Sequence, residues 1–392
     1  MADLAVAVLI GLGGLVIIAA VSLFLLKAVS GARRRRIGAR RARFVDLVGE
    51  LIVRGDPGSR NFRRYAGDPE FRSVVLEYMR MLQGEDRLRL LTAARDMGLV
   101  DRFLKALRSR DRDERVSAVE ALGEIGDPTT VTDLVFMLHD IVPEIQVQAA
   151  AALAHIGDPT SVKSLLAGME HQDEWNAQRI ADALYSFGRE AVPEMARYLQ
   201  GTGRYRPLVA RTLGLIGDIR AEGSLIQALS SSDADLRMRA AAALGRAGTP
   251  RAVPSLLELL ADKQWEVRAQ AASALGRRTD RQAIPWLRRA LSDQSWWVRH
   301  NAAAALVEVP GGSEALRSSL GHPDPYARDA AAAVLLSSGV AGEAVEALRS
   351  TEVTDRLAAE DLISSLVQAG KAEFFLVAGL NPEYVDALRM RV

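Results

Sequence analysis

Arginine returns seven positions ahead of a recurring leucine, as Arg115, Arg206, Arg237, Arg268, Arg299 and Arg328. A guanidinium offers five donors in a planar fork that matches phosphate or carboxylate. A row of them on one edge is therefore either an anion-binding surface or a ladder closed by the chain's own acids. Asp111, Asp113, Asp233, Asp235, Asp262, Asp293 and Asp324 stand just upstream of most of these arginines. The reading adopted is the ladder, with each arginine bridging acidic residues or carbonyls of neighbouring turns.

Tryptophan supplies the second set of candidates. Aromatic residues are only 5% of the chain, yet Trp265, Trp296 and Trp297 gather at one recurring boundary, with Trp175 and Tyr326 at the corresponding place elsewhere. Plugging the turn between helices is the expected role of the 265/296/297 group, and partner contact is the alternative. Trp286 differs: it aligns with Asp133, Ser164, Glu194 and Ser255, so its indole should face solvent near Arg289. Exposed tryptophan beside arginine is the composition of a binding hot spot. Trp286, Arg289, Trp265, Trp296 and Trp297 are the partner-binding candidates.

Other chemistry finds little footing. His139, His155, His171, His300 and His322 fall in different contexts, and no His-Glu dipeptide exists. The chain has no cysteine, hence no thiolate nucleophile and no Cys-zinc site. A Gly-rich phosphate loop of Walker type is missing. No catalytic, cofactor-binding or metal-ligating residue is predicted. His155 follows the helical period and is expected to be a satisfied groove residue.

The elements that carry these side chains repeat. Leu122, Leu153, Leu184, Leu213, Leu244, Leu275, Leu306, Leu335 and Leu366 are spaced by 31 or 29 residues, a period that means stacked supersecondary units. Around each leucine, alanines and apolar residues at i, i+3, i+4 and i+7 form an amphipathic helix whose small residues permit close contact. Gly126, Gly157, Gly188, Gly217 and Gly248 fall where a left-handed helix end is expected. Asp-Pro or Thr-Pro follows and should open the next helix. Shorter apolar helices such as 252–260 and 283–291 lie between, and no β-alternation is evident.

The segments Arg-Val-Ser-Ala-Val-Glu-Ala-Leu-Gly-Glu-Ile-Gly-Asp-Pro (115–128) and Gln-Val-Gln-Ala-Ala-Ala-Ala-Leu-Ala-His-Ile-Gly-Asp-Pro (146–159) resemble the HEAT-like repeats of the phycobilin lyases. The resemblance covers roughly residues 85–370. It implies an all-α chain, an α-solenoid of about nine two-helix repeats. The repeat type is shared by scaffolds, chromophore lyases, hydroxylases and DNA glycosylases, so it speaks to fold more than to activity.

Residues 4–26 carry no charged side chain and are long enough, at about 1.5 Å per residue, to span a hydrocarbon core of roughly 30 Å. Lys27, Arg33, Arg34, Arg35, Arg36, Arg40, Arg41 and Arg43 follow, and only Met1, Ala2 and Asp3 precede. The positive-inside rule then places the N-terminus outside and the remainder in the cytoplasm of a bacterium, as a single-pass inner-membrane protein. A cleaved signal peptide fits less well, because the first residues lack a basic stretch and Ala28-Val29-Ser30 is a poor cleavage match. The expected organisation is a transmembrane anchor over 1–30, a basic juxtamembrane segment over 31–43, a helical cap over 44–84, the repeats over 85–370 and a capping helix over 371–392.

Eight Lys/Arg against one Asp give residues 1–43 a charge of +7, which leaves −6 for the rest of a chain whose net charge is +1. The arginines at 33–36, 40, 41 and 43 are expected at anionic headgroups. Gly11, Gly13 and Gly14, with Ala7, permit self-association of the span. A −6 repeat region disfavours nucleic acid, whose affinity comes mostly from phosphate neutralisation. The expected function is a membrane-tethered protein-interaction scaffold without enzymatic activity. The alternatives are a bilin or chromophore lyase-like enzyme and, behind it, a HEAT-like nucleic-acid-binding protein.

Overall fold

The computed structural model describes residues 38–53 and 63–390. The anchor expected over 1–30 and the arginines at 33–36 lie outside the described residues. By its contacts the chain divides into two compact units, Met1–Ile156 and Gly157–Val392. Among the described residues all regular structure is helical.

The first unit holds α1 (residues 38–53), α2 (Pro69–Met81), α3 (Gly84–Asp96), α4 (Leu99–Ala106), α5 (Arg112–Ile125), α6 (Val131–Met137) and α7 (Pro143–Ile156). Phe44 of α1 meets Tyr65 and Phe71 edge-on at 5.7 and 5.3 Å. Val48, Val74 and Val75 close the same core. Asp68 accepts from the Glu70 N–H, and Pro69 opens α2, the cap and first-turn proline that start a helix cleanly. α1 runs without a break through residues 43 and 44, so residues 38–43 of the basic stretch share one helix with the start of the cap.

The second unit continues with α8 (Val162–Met169), α9 (Glu174–Ser186), α10 (Val192–Leu199), α11 (Arg206–Ile216), α12 (Glu222–Ala228), α13 (Ala234–Ala247), α14 (Val253–Glu258) and α15 (Trp265–Arg278). Then come α16 (Ile284–Ala290), α17 (Trp296–Glu308), α18 (Gly312–Ser318), α19 (Pro325–Ser337), α20 (Val340–Ala347), α21 (Val353–Gln368), α22 (Ala372–Val377) and α23 (Pro382–Arg389). From α4 to α21 short and long helices alternate, giving nine pairs among the described residues. Each long helix carries one anchor leucine, and all nine are fully buried. A buried leucine contributes about 2 kcal/mol from area alone, so the period marks where each repeat is pinned.

The long helices pack against one another more tightly than the short ones, and the Ala-Leu-Gly sequence is the reason. A Cβ placed on Gly245 would lie 2.9 Å from Ala274 Cα, and one on Gly276 would lie 2.8 Å from Ala305 Cα. Only a residue without a side chain allows this approach. The turns differ from expectation in two respects. The Asp-Pro pairs start a single 3-10 turn, as in Pro128–Thr130 capped by Asp127, and α6 begins only at Val131. Gly248 is extended (φ −71°, ψ 167°), not left-handed, whereas Gly217 is left-handed at φ 72°. One repeat beyond Gly248, Thr279 takes the left-handed conformation at φ 52°.

No single described helix is long and apolar enough to cross a membrane. α19 and α20 would pass only as a pair bent by 68°. Buried residues on both, including Ala327, Leu335, Ala341 and Ala344, belong to the stack.

Candidate functional site

The arginine row resolves into specific bonds. Arg237 Nε and Nη2 donate to the two carboxylate oxygens of Asp262 at 2.7 and 2.8 Å, and its Nη1 donates to the Ser231 carbonyl at 2.8 Å. Arg268 repeats this with Asp293 at 2.7 and 2.9 Å and with the Asp262 carbonyl at 2.8 Å. Arg115 does the same with Asp140 and Ser109 in the first unit. The carboxylate thus comes from the loop after the next helix, 25 residues on, and the upstream loop supplies carbonyls. Burial pushes the Asp262 and Asp293 carboxyls up, but the arginine bonds, a backbone N–H and the nearby guanidinium charges outweigh it and hold both below the ordinary carboxylate range.

The row is not uniform. Arg299 donates to the carbonyls of Asp293 and Gln294, its Nε is buried without an acceptor, and its guanidinium lies 5.0 Å over the Tyr326 ring. Arg328 reaches only the carbonyls of His322 and Pro323. Arg206 reaches only the carbonyl of Gly203, at 3.3 Å. Arg356, which the spacing did not single out, makes the same carbonyl contacts to Ser350 and Thr351.

The tryptophans separate into two places. Trp296 and Trp297 open α17, edge-on at 4.7 Å, and Trp296 stacks on His300 at 4.9 Å. Trp265 opens α15. These three indoles are 39–54% exposed, so each stands at a helix start with part of its surface in solvent and part packed on the protein. Trp286 lies on a short helix, α16, 47% exposed. Arg289 follows three residues later on the same helical face, also exposed. Neither Arg288 nor Arg289 has a hydrogen-bond or ion-pair partner among the described residues.

Two of the arginines expected at a membrane surface have partners of their own. Arg40 pairs with Asp68, and Arg41 with Glu70 at 2.9 Å and with Glu77. The acids of α2 thus engage these guanidiniums, and Arg43 remains exposed. His155 donates from Nδ1 to the Gly123 carbonyl at 2.6 Å. Among the described residues no group of three or more His, Asp or Glu could hold a metal ion.

The start of α11 departs from that of its neighbours. α9 and α13 each begin ten residues before their leucines, at Glu174 and Ala234, whereas α11 begins seven before Leu213, at Arg206. Three residues at about 1.5 Å rise remove roughly 4.5 Å of helix. The result is a notch of about 740 Å³ whose walls include Trp175, Arg204, Pro207, Leu208, Arg211 and Arg239. The 29-residue interval between Leu184 and Leu213 does not by itself mark it, since Leu306 and Leu335 are also 29 apart and α19 still begins ten residues before its leucine.

The loop that replaces the lost turn is fixed. Tyr205 donates its hydroxyl to the Gln172 carbonyl at 2.6 Å, and the Arg204 N–H donates to Glu170 Oε2 at 3.1 Å. Tyr198 donates its hydroxyl to Glu170. Burial first, then this bond and the charge of Glu170, push the Tyr198 hydroxyl well above its usual range. Gly203 passes close to both groups, where any side chain would collide with the Tyr198 ring.

The model for HEAT repeats matches residues 100–186, 202–266 and 253–336. No curated protein matches. Among solved structures, an engineered protein is 21% identical over 74% of this chain and 97% of its own, with a TM-score of 0.37. The CpcE–CpcF complex of phycocyanin lyase from Nostoc sp. PCC7120 is 22% identical over 53% and 87%, with a TM-score of 0.29. The karyopherin Kap121p, bound to the extreme C-terminus of the protein phosphatase Cdc14p, is 13% identical over 90% of this chain, with a TM-score of 0.48; this chain spans 48% of that one. The family match extends over more than half of the sequence, and the chain belongs to the HEAT repeat proteins.

Proposed function

We propose that this chain is a membrane-tethered scaffold that presents its helical repeats in the cytoplasm to protein partners at the inner membrane of a bacterium. The observation that carries the reading is α16, where Trp286 stands half exposed with Arg288 and Arg289 unpaired beside it. An indole and guanidiniums left in water are what a partner surface uses as anchors. The surrounding charge indicates the partner's sign. Residues 237–289 carry eleven Lys/Arg against four Asp/Glu, within a region that is otherwise acidic, so an acidic face is the complement.

The tether rests on sequence: the uncharged run over 4–26 and the arginines that follow it. Holding a binding surface beside the bilayer raises its effective concentration toward partners in the same membrane. The experiment is affinity capture of the detergent-solubilised full chain, repeated with Trp286→Ala and with residues 1–43 removed. Loss of a partner in the first variant supports the patch. Recovery of the second variant from the soluble fraction, without its partners, supports the tether. Retention of every partner by both variants overturns the reading.

A further inference from the structure

The notch at α11 differs from the rest of the surface in which charges it leaves unmatched. Arg239 is paired with Asp235 at 3.1 Å. Arg211 donates only to the neutral Gln178, at 3.1 Å, and the Arg204 guanidinium lies 5.1 Å over the Tyr205 ring without a carboxylate. Glu174 is the one unpaired acid on the wall. Two free guanidiniums therefore face one free carboxylate. The first turn of α11 has no side-chain cap, which adds to the positive side of that balance. Beside the cations lie Pro207, Leu208 and the indole of Trp175, which is 74% exposed.

Shape narrows the occupant. A recess made by removing roughly 4.5 Å of one helix is too shallow to bury a helix about 10 Å across, and its 740 Å³ leaves room for a few side chains of a short segment. We propose that the notch is a docking site for an acidic linear peptide. The peptide would place an aromatic or branched aliphatic side chain on Trp175, Pro207 and Leu208, and a neighbouring carboxylate between Arg204 and Arg211. Because the 201–205 loop is already held by Glu170, Tyr198 and Gln172, binding orders little of the protein. The inference rests on the scaffold reading for the class of partner, but not on Trp286.

The test is selection of displayed random peptides on the detergent-solubilised full chain, followed by affinity measurement of synthetic winners. Enrichment of peptides with Asp or Glu next to an aromatic or aliphatic residue is expected. Their affinity should fall by about tenfold or more in Trp175→Ala and in Arg211→Glu, and stay unchanged in Trp286→Ala. Replacing the peptide's Glu by Lys should restore binding to Arg211→Glu, which separates charge pairing from damage to the fold. Four results would overturn the assignment: no enrichment, winners that are neutral or basic, dependence on Trp286 instead of Trp175, or tighter binding of a single-stranded oligonucleotide at the same residues. Retention of every captured partner by Trp286→Ala, with the notch peptides still binding, would sink the α16 patch alone.

Discussion

The stretch α13–α17 and the stretch α9–α11 are made from the same helix pair, yet their arginines are arranged differently. In α13–α17 the leucines keep a 31-residue spacing, and Asp262 and Asp293 each serve two neighbours. The carboxylate of each closes on the arginine of one repeat, and its carbonyl accepts from the arginine of the next. At α11 the spacing shrinks, the position 25 residues after Arg206 is Ser231, and no carboxylate closes the rung. On the long helices, strict register commits Arg237 and Arg268 to the structure, while the short helix α16 keeps its arginines outside the ladder. At α11 the break in register leaves Arg204 and Arg211 without a carboxylate beside the exposed Trp175.

The contrast is sharpest in stability. Asp293→Ala should cost about 3 kcal/mol, because it strands the mostly buried Arg268 guanidinium; denaturant unfolding measures it. The corresponding change of Ser231 to alanine loses only the bond that its hydroxyl accepts from the Asp233 N–H at 3.2 Å and should cost about 1 kcal/mol or less. An equal cost at both sites would mean that the ladder does not distinguish the two stretches. Gly276→Ala should destabilise by about 2 kcal/mol, since the new methyl meets the Ala305 backbone. Thr279→Gly should work the other way, raising stability by about 1 kcal/mol through relief of a left-handed β-branched residue.

Acid sharpens the comparison further. Bonds from the Arg220 side chain and backbone, and the charges of Arg220 and Arg189, hold the Asp218 carboxyl at about 2 against burial, below its ordinary 3.8. A depressed folded pKa contributes stability above the unfolded value and loses it as pH falls through the folded one. The melting temperature should therefore drop between about pH 4 and pH 2, and the drop should be shallower in Asp218→Asn. The smallest effect belongs to Trp175→Ala, which should leave the melting temperature nearly unchanged. A large loss there would make that indole a structural element and not a contact residue.

Much of the repeat architecture was legible because each unit imposes the same demands. A buried leucine, a small residue where helices touch and a turn residue at the end recur visibly in sequence. The ladder was legible in its arginines but not in its wiring. The carboxylate that closes on Arg237 or Arg268 sits across a helix, and nearer acids such as Asp233 and Asp235 serve as cap or surface partner instead. Residues whose role depends on a neighbour's absence were not readable. Arg204 and Arg211 look like any surface arginines until the shortened start of α11 exposes them. Helix-start positions alone did not reveal how much of each indole of Trp265, Trp296 and Trp297 stays in solvent.

All five tryptophans of the chain stand 39–74% exposed. Their emission in the native protein should already resemble that of indole in water, so intrinsic fluorescence would be a weak gauge of denaturation. The same property makes them sensitive to occupancy. A ligand that covers Trp175 or Trp286 would shield that indole from a collisional quencher such as acrylamide, and single Trp→Phe replacements would show which one has been shielded.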